Sequence, residues 1–122
     1  MNDKEVQPAP VKAIATLADL EKLDIRVGTI LAVEDVSGSD KLVRLIVDFG
    51  DHQRNILAGM KQERADPASL RGQQALFVVN LEPRKIMGET SEGMLFDIGY
   101  ADGLQPVLAV PESIVPNGTR VG

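Results

Sequence analysis

Apolar residues recur at two different spacings along this chain, and the change from one to the other marks out its predicted elements. Leu17, Leu20 and Leu23 stand three apart behind Thr16, a hydroxyl residue suited to capping a helix, with Asp19 in the first turn. This predicts a short helix of about two turns whose apolar side must lie on a sheet. From Ile25 the spacing becomes two: Ile25, Val27, Thr29, Leu31 and Val33 fall on one side of a strand, with Arg26, Gly28, Ile30 and Ala32 on the other. Gly28, in mid-strand, predicts a bulge or sharp bend such as a strongly coiled first strand needs. Ser37-Gly38-Ser39-Asp40 breaks the run. Residues 42–48 resume it, with Val43, Leu45 and Val47 on one face and Arg44 and Asp48 on the other. Gly50 and Asp51 turn the chain into a third strand over 54–58, and Asp66 is placed to cap a helical turn that Pro67 opens and Gly72 stops. Residues 75–80 and 93–98 are two further apolar strands.

Five short strands in a meander, a small helix after the third and turn residues at regular spacing describe an all-β, five-stranded, partly open Greek-key barrel with short helices, the OB-fold. Residues 107–110 and the Pro116-Asn117-Gly118 turn exceed that barrel and form a C-terminal extension, available for strand pairing within the chain or across a dimer. Residues 1–15, with Pro8 and Pro10 and no periodicity, read as a flexible N-terminal arm. Residues 16–122 then form one domain, as a length of 122 residues predicts.

Composition narrows the chemistry. With no cysteine and a single histidine, His52, the chain has no disulfide, no thiolate metal site, no cysteine nucleophile and no multi-histidine centre. Catalysis would rest on His52 beside Asp51, and adjacent residues on a turn are more often a solvated pair than a site. A non-catalytic protein without metal or cofactor is expected. No apolar run approaches the roughly 18 residues of a membrane span, and the start lacks the pattern of a signal peptide, so a cytoplasmic location is expected.

The net charge of -5 is unevenly distributed. Residues 1–40 hold four basic and eight acidic side chains, and residues 86–122 one basic and five acidic, whereas residues 41–85 hold eight basic against five acidic. If those central cations share a face, an acidic protein presents a positive wall to a polyanion. Lys41 follows the first break and Arg44 lies on the second strand. Arg54 opens the third strand, with Lys61 and Arg64 beyond it, and Arg84 and Lys85 occupy the loop between the fourth and fifth strands. These loops flank the binding face of an OB-fold, and both cation types suit phosphate oxygens. Asn80 and Ser91 bracket the second loop. Each could read a base edge or a ribose hydroxyl, or act locally, Asn80 bracing the loop and Ser91 bonding the turn at Gly93. Three Phe, one Tyr and no Trp, mostly expected in the core, argue against stacking along a single strand. They favour a folded RNA read through backbone shape and a few unpaired bases.

Leu23-Asp24-Ile25-Arg26-Val27-Gly28, Ser39-Asp40-Lys41-Leu42, Ala58-Gly59, Asn80-Leu81-Glu82-Pro83-Arg84-Lys85-Ile86-Met87-Gly88 and Ser91-Glu92-Gly93-Met94 follow one another in order. The series resembles the tRNA-binding domain appended to bacterial methionyl-tRNA synthetases. That domain also occurs as free-standing dimeric tRNA-binding proteins and in the endothelial-monocyte-activating-polypeptide group. The resemblance implies an OB-fold, homodimerisation through the C-terminal part, and tRNA binding by shape that lends affinity to an aminoacyl-tRNA synthetase partner. It assigns Lys41, Asn80, Lys85 and Ser91 to the RNA face, while Arg44, Arg54 and Arg84 join them from the strand and loop argument. Arg26, Gly28, Gly93 and Met94 are assigned to maintaining the barrel. A catalytic synthetase domain does not fit in 122 residues. The ending Val115-Pro116-Asn117-Gly118-Thr119-Arg120-Val121-Gly122 is similar to the CsaA-type secretion chaperones, dimers of the same fold that hold unfolded export proteins. The alternative function is therefore a chaperone, although the Ser39 and Ser91 motifs follow the tRNA branch.

Overall fold

The computed structural model describes residues 8–122. Residues 1–7 of the expected arm lie outside these, and 8–15 carry no helix or strand and are exposed. The elements are α1 (Leu17–Glu21), β1 (Ile25–Asp35), β2 (Val43–Asp48), β3 (Gln53–Ala58), a 3-10 turn (Pro67–Leu70), β4 (Gln74–Val78), β5 (Arg84–Ile86), β6 (Glu89–Ser91), β7 (Met94–Leu95), β8 (Asp97–Ile98), a second 3-10 turn (Tyr100–Asp102) and β9 (Val107–Leu108). Five of the strands form one antiparallel sheet in the order β3-β2-β1-β4-β7, and β3 and β7 meet to close it nearly into a barrel. This is the all-β OB-type architecture expected from the sequence.

The core follows the alternation on β2: Val43, Leu45 and Val47 are buried and meet Ile30, Ile56, Ala75 and Phe77. Phe49 packs edge-to-face on Phe77, with ring centroids 5.5 Å apart. On β1 the reading needs correction. Thr29 pairs with Asp48 and Ile30 with Val47, but the next pair is Ala32 with Ile46, so Leu31 is the extra residue of a bulge. The bulge turns the strand over. Ile30, before it, and Val33, after it, both pack on the core, while Leu31 is exposed. Gly28 is therefore not the bulge. It lies where β1 crosses β2 so closely that a Cβ would stand 2.6 Å from Val47 Cγ1.

The N-terminal helix also differs from expectation. Its capping box is complete: Thr16 Oγ1 accepts from the Asp19 amide at 3.0 Å, and the Asp19 carboxylate accepts from the Thr16 amide at 3.1 Å. Yet α1 has only five residues, none of them buried, and Leu17 is 70% exposed, so its apolar side does not lie on the sheet. Asn80 explains the early end. Its amide donates to the Lys22 carbonyl and its oxygen accepts from the Asp24 amide, both at 2.7 Å, and this draws the chain out of the helix and into β1. At Pro67 the expected Asp66 side-chain cap is likewise absent; Ser69 Oγ instead donates to the Asp66 carbonyl at 2.7 Å.

The C-terminal extension pairs within the chain. β8 and β9 form a small ladder, and residues 115–121 run back to the edge of β1 that β2 leaves open. Gly118 N donates to the Val27 carbonyl at 2.7 Å, Val27 N to Thr119 at 2.9 Å, and Val121 N to Ile25 at 2.8 Å. Asn117 anchors the turn, since its Oδ1 accepts from Thr29 Oγ1 and Gln74 Nε2 while its Nδ2 donates to Asp48. Gly118, with φ +88°, lies so close to the Phe49 carbonyl that a side chain has no space.

Candidate nucleic-acid interface

Two segments frame the face next to β2 and β3. In the turn after β1, Ser39 Oγ accepts from the amides of Lys41 at 3.2 Å and Leu42 at 3.0 Å, which fixes where the Lys41 side chain leaves the backbone. Lys61 holds the back of the same turn: its amine donates to the Ser39 carbonyl at 2.6 Å and pairs with Asp35 at 2.8 Å. The second segment, expected to be a loop, is the β5–β6 hairpin. Met87 and Gly88, with φ of 53° and 78°, make its two-residue left-handed turn. The Met87 side chain reaches Gly38, so the hairpin tip leans on the Ser37–Asp40 turn. Arg84 and Lys85 are consecutive on β5 and therefore leave the hairpin on opposite faces.

The seven residues singled out from the sequence divide by what their side chains already do. Arg44 is held between two carboxylates, Glu34 at 2.9 Å and Glu89 on the hairpin, and so ties the hairpin to the barrel. Arg54 donates to the Val79 and Glu92 carbonyls and, through Nε, to His52 Nε2 at 3.1 Å. Asn80 braces α1 against β1. Ser91 is buried, accepting from the Leu57 amide and donating to the Gly93 carbonyl, each at 3.0 Å. The turn bond to Gly93 is the local role foreseen for it. Lys41, Arg84 and Lys85 remain: exposed, with no ion pair or side-chain hydrogen bond among the described residues. Lys41 and Arg84 line the same groove, of about 1040 Å³, between the end of β3 and the segment around β7 and β8.

That groove brings in residues the sequence reading had placed elsewhere. Lys12, from the stretch read as an arm, lies on it. Met94, assigned to the barrel, is exposed there, and so is Tyr100, the one tyrosine of a chain whose few aromatics were mostly expected in the core. The signal for Tyr100 was its position between Gly99 and Gly103. Both glycines adopt left-handed conformations, and the short turn they bound holds the ring outward. Glu63 lies on the groove too, its carboxyl pushed above the ordinary range by burial and by the charge of Asp97, with Arg64 opposing. Elsewhere, His52 Nδ1 contacts Asp51 at 2.6 Å, which holds the Asp51 carboxyl below its usual range. Because Arg54 donates to Nε2, the ring proton belongs on Nδ1. Among the described residues there is no group of three or more His, Cys, Asp or Glu able to hold a metal ion, and no helix is long and apolar enough to cross a membrane.

The barrel has the all-β, OB-like topology, with Lys41 on one flanking segment and Arg84 and Lys85 on the other unpaired among the described residues. The family model described as "Putative tRNA binding domain" matches residues 25–120, and the chain belongs to that family. It is 42% identical over 106 residues to the methionine–tRNA ligase of Archaeoglobus fulgidus, a match that covers 87% of this chain and 16% of the relative. The chain thus spans about a sixth of the curated relatives it matches. Among solved structures, a MetRS-related protein from Pyrococcus horikoshii superposes with TM-score 0.83 at 32% identity, covering 91% of this chain and all of that one. The chaperone CsaA from Bacillus anthracis superposes with TM-score 0.73, also at 32% identity, covering 90% of this chain and all of that one.

Proposed function

We propose that this chain is a non-catalytic, cytoplasmic, homodimeric tRNA-binding protein, acting as a free accessory or as a detached appendage of a methionyl-tRNA synthetase. The observation that carries this reading is that Lys41, Arg84 and Lys85 have no partner among the described residues, in a domain of a tRNA-binding family. Cations left unpaired are available to phosphate oxygens, whereas Arg44 and Arg54 must first give up their own acceptors. Contacts of this kind position an RNA backbone without reading its sequence, so many tRNAs bind alike. The exposed apolar residues Ile14, Leu17, Val110 and Ile114 are offered to a second copy. Titrating bulk tRNA at two salt concentrations tests the reading. Affinity falls steeply with salt, each neutralised phosphate adding roughly 0.9 to the log–log slope, and Lys41→Ala with Lys85→Ala lowers both affinity and slope. Unchanged binding by that double variant overturns the assignment.

The same exposed apolar residues, with the likeness to CsaA structures, favour a second reading as a chaperone for unfolded export proteins. It predicts suppression of client aggregation that is nearly indifferent to salt, because apolar contacts are not screened.

A further inference from the structure

The groove beside Lys41 and Arg84 offers more than phosphate contacts. Phe49 and Phe77 are buried in the core, but Tyr100, the chain's one tyrosine, is 71% exposed and lies on the groove with the exposed thioether of Met94. A flat apolar surface thus stands next to two cations free of other partners among the described residues. Hydrogen-bonding groups complete the lining: the Asp97 carboxylate accepts, and the half-buried Arg64 guanidinium brings N–H donors. A ligand complementary to all of these has an anion, a planar face and an edge bearing both donors and acceptors. A nucleotide has this combination, and the groove has ample volume for one.

We propose that the groove receives a single unpaired nucleotide of a bound RNA, its base stacked on Tyr100 and its flanking phosphates on Lys41 and Arg84. This deepens the tRNA-binding reading and rests on it. A base paired within a helix offers no free face to a tyrosine, so the occupant comes from a loop, a bulge or an end. One aromatic ring accommodates one base, which fits a protein that reads folded RNA rather than a long single strand.

The test uses the sole tyrosine of a tryptophan-free chain, because its intrinsic emission reports one ring. Hexaadenylate is titrated beside an abasic hexamer of equal charge, with correction for absorbance, and bulk tRNA affinity is measured in parallel. The expected results are quenching by hexaadenylate and little by the abasic chain. For tRNA, Tyr100→Ala weakens binding by about tenfold, whereas Tyr100→Phe keeps most of it. Tyr100 is exposed, and matching thermal melts confirm that each variant folds. If tRNA affinity depends on Lys41 and Lys85 while Tyr100→Ala binds like wild type and hexaadenylate leaves the emission unchanged, the nucleotide site is overturned alone. If wild type fails to bind tRNA and hexaadenylate also leaves the emission unchanged, the tRNA reading falls with it. Quenching by an acidic peptide but not by hexaadenylate overturns the proposal in favour of a peptide groove.

Discussion

The two ends of the barrel differ in how completely their polar side chains are paired. At the end closed by residues 115–121, polar groups satisfy one another: Asn117 with Thr29, Gln74 and Asp48, and Asp24 with Arg26 and Arg120. At the end bearing the Ser37–Asp40 turn and the β5–β6 hairpin, Lys41, Arg84 and Lys85 have no such partners among the described residues. Both ends use short turns and charged residues, so composition does not separate them. Internal pairing does, and it divides residues that hold the fold from residues available to a ligand.

The largest expected effect breaks the closed end. Gly118→Ala forces a side chain against the Phe49 carbonyl at a left-handed φ of +88°, and is expected to cost about 3 kcal/mol or more of stability in denaturant titrations. Asn117→Ala comes next. It leaves Thr29, Gln74 and Asp48 without their shared partner, at a cost of about 2 kcal/mol. Neither site contributes a cation to the interface, so affinity for tRNA, measured where the variants remain folded, should stay close to wild type.

At the open end the signs reverse. Arg84→Ala should weaken tRNA binding by about tenfold while leaving the melting temperature nearly unchanged, because the side chain is exposed and has no ion pair among the described residues. Arg44→Ala sharpens the contrast. The same residue type on β2 is joined to Glu34 and Glu89, so its loss should cost about 1 kcal/mol of stability and less affinity than Arg84→Ala. Paired thermal melts and tRNA titrations on the two variants measure this directly. Equal losses of affinity would remove the distinction between engaged and free arginines.

These contrasts also explain what the sequence disclosed. The barrel was legible because alternation on β2 and the apolar run of β4 depend on local spacing, which a chain states directly. The bulge at Leu31 was not, since it depends on the register β2 imposes. The short α1 was hidden for a similar reason: Asn80, 58 residues away from Lys22, decides where it ends. For the candidate interface, residue type identified the cations but not their partners. Arg44 and Arg84 look alike in sequence, and only the approach of Glu34 and Glu89 separates them. Tyr100 was not singled out, because the argument that the few aromatics mostly fill the core gave no weight to the glycines that flank it.

The smallest expected effect concerns acid. Arg26 donates to both Asp24 oxygens at 3.0 Å, and Arg120 adds a contact at 3.2 Å, which together hold the Asp24 carboxyl below its ordinary range despite the opposing effect of burial. The unfolded chain keeps the ordinary value, so the native state binds its proton less readily. The resulting stability is fully present above the ordinary carboxylate range, near pH 4, and is lost as pH falls through the depressed native value. Thermal melts of wild type and Asp24→Asn should therefore differ at pH 6 and converge near pH 2, and Arg120→Ala should narrow the gap at pH 6. Among the described residues no carboxylate pairs with Lys41, Arg84 or Lys85, so the comparison with Asp24→Asn reads the Asp24 cluster alone. A gap between wild type and Asp24→Asn that persisted undiminished to pH 2 would show that the 115–121 segment is held by its backbone pairing with β1 and by Asn117, with the Asp24 cluster contributing only its shape.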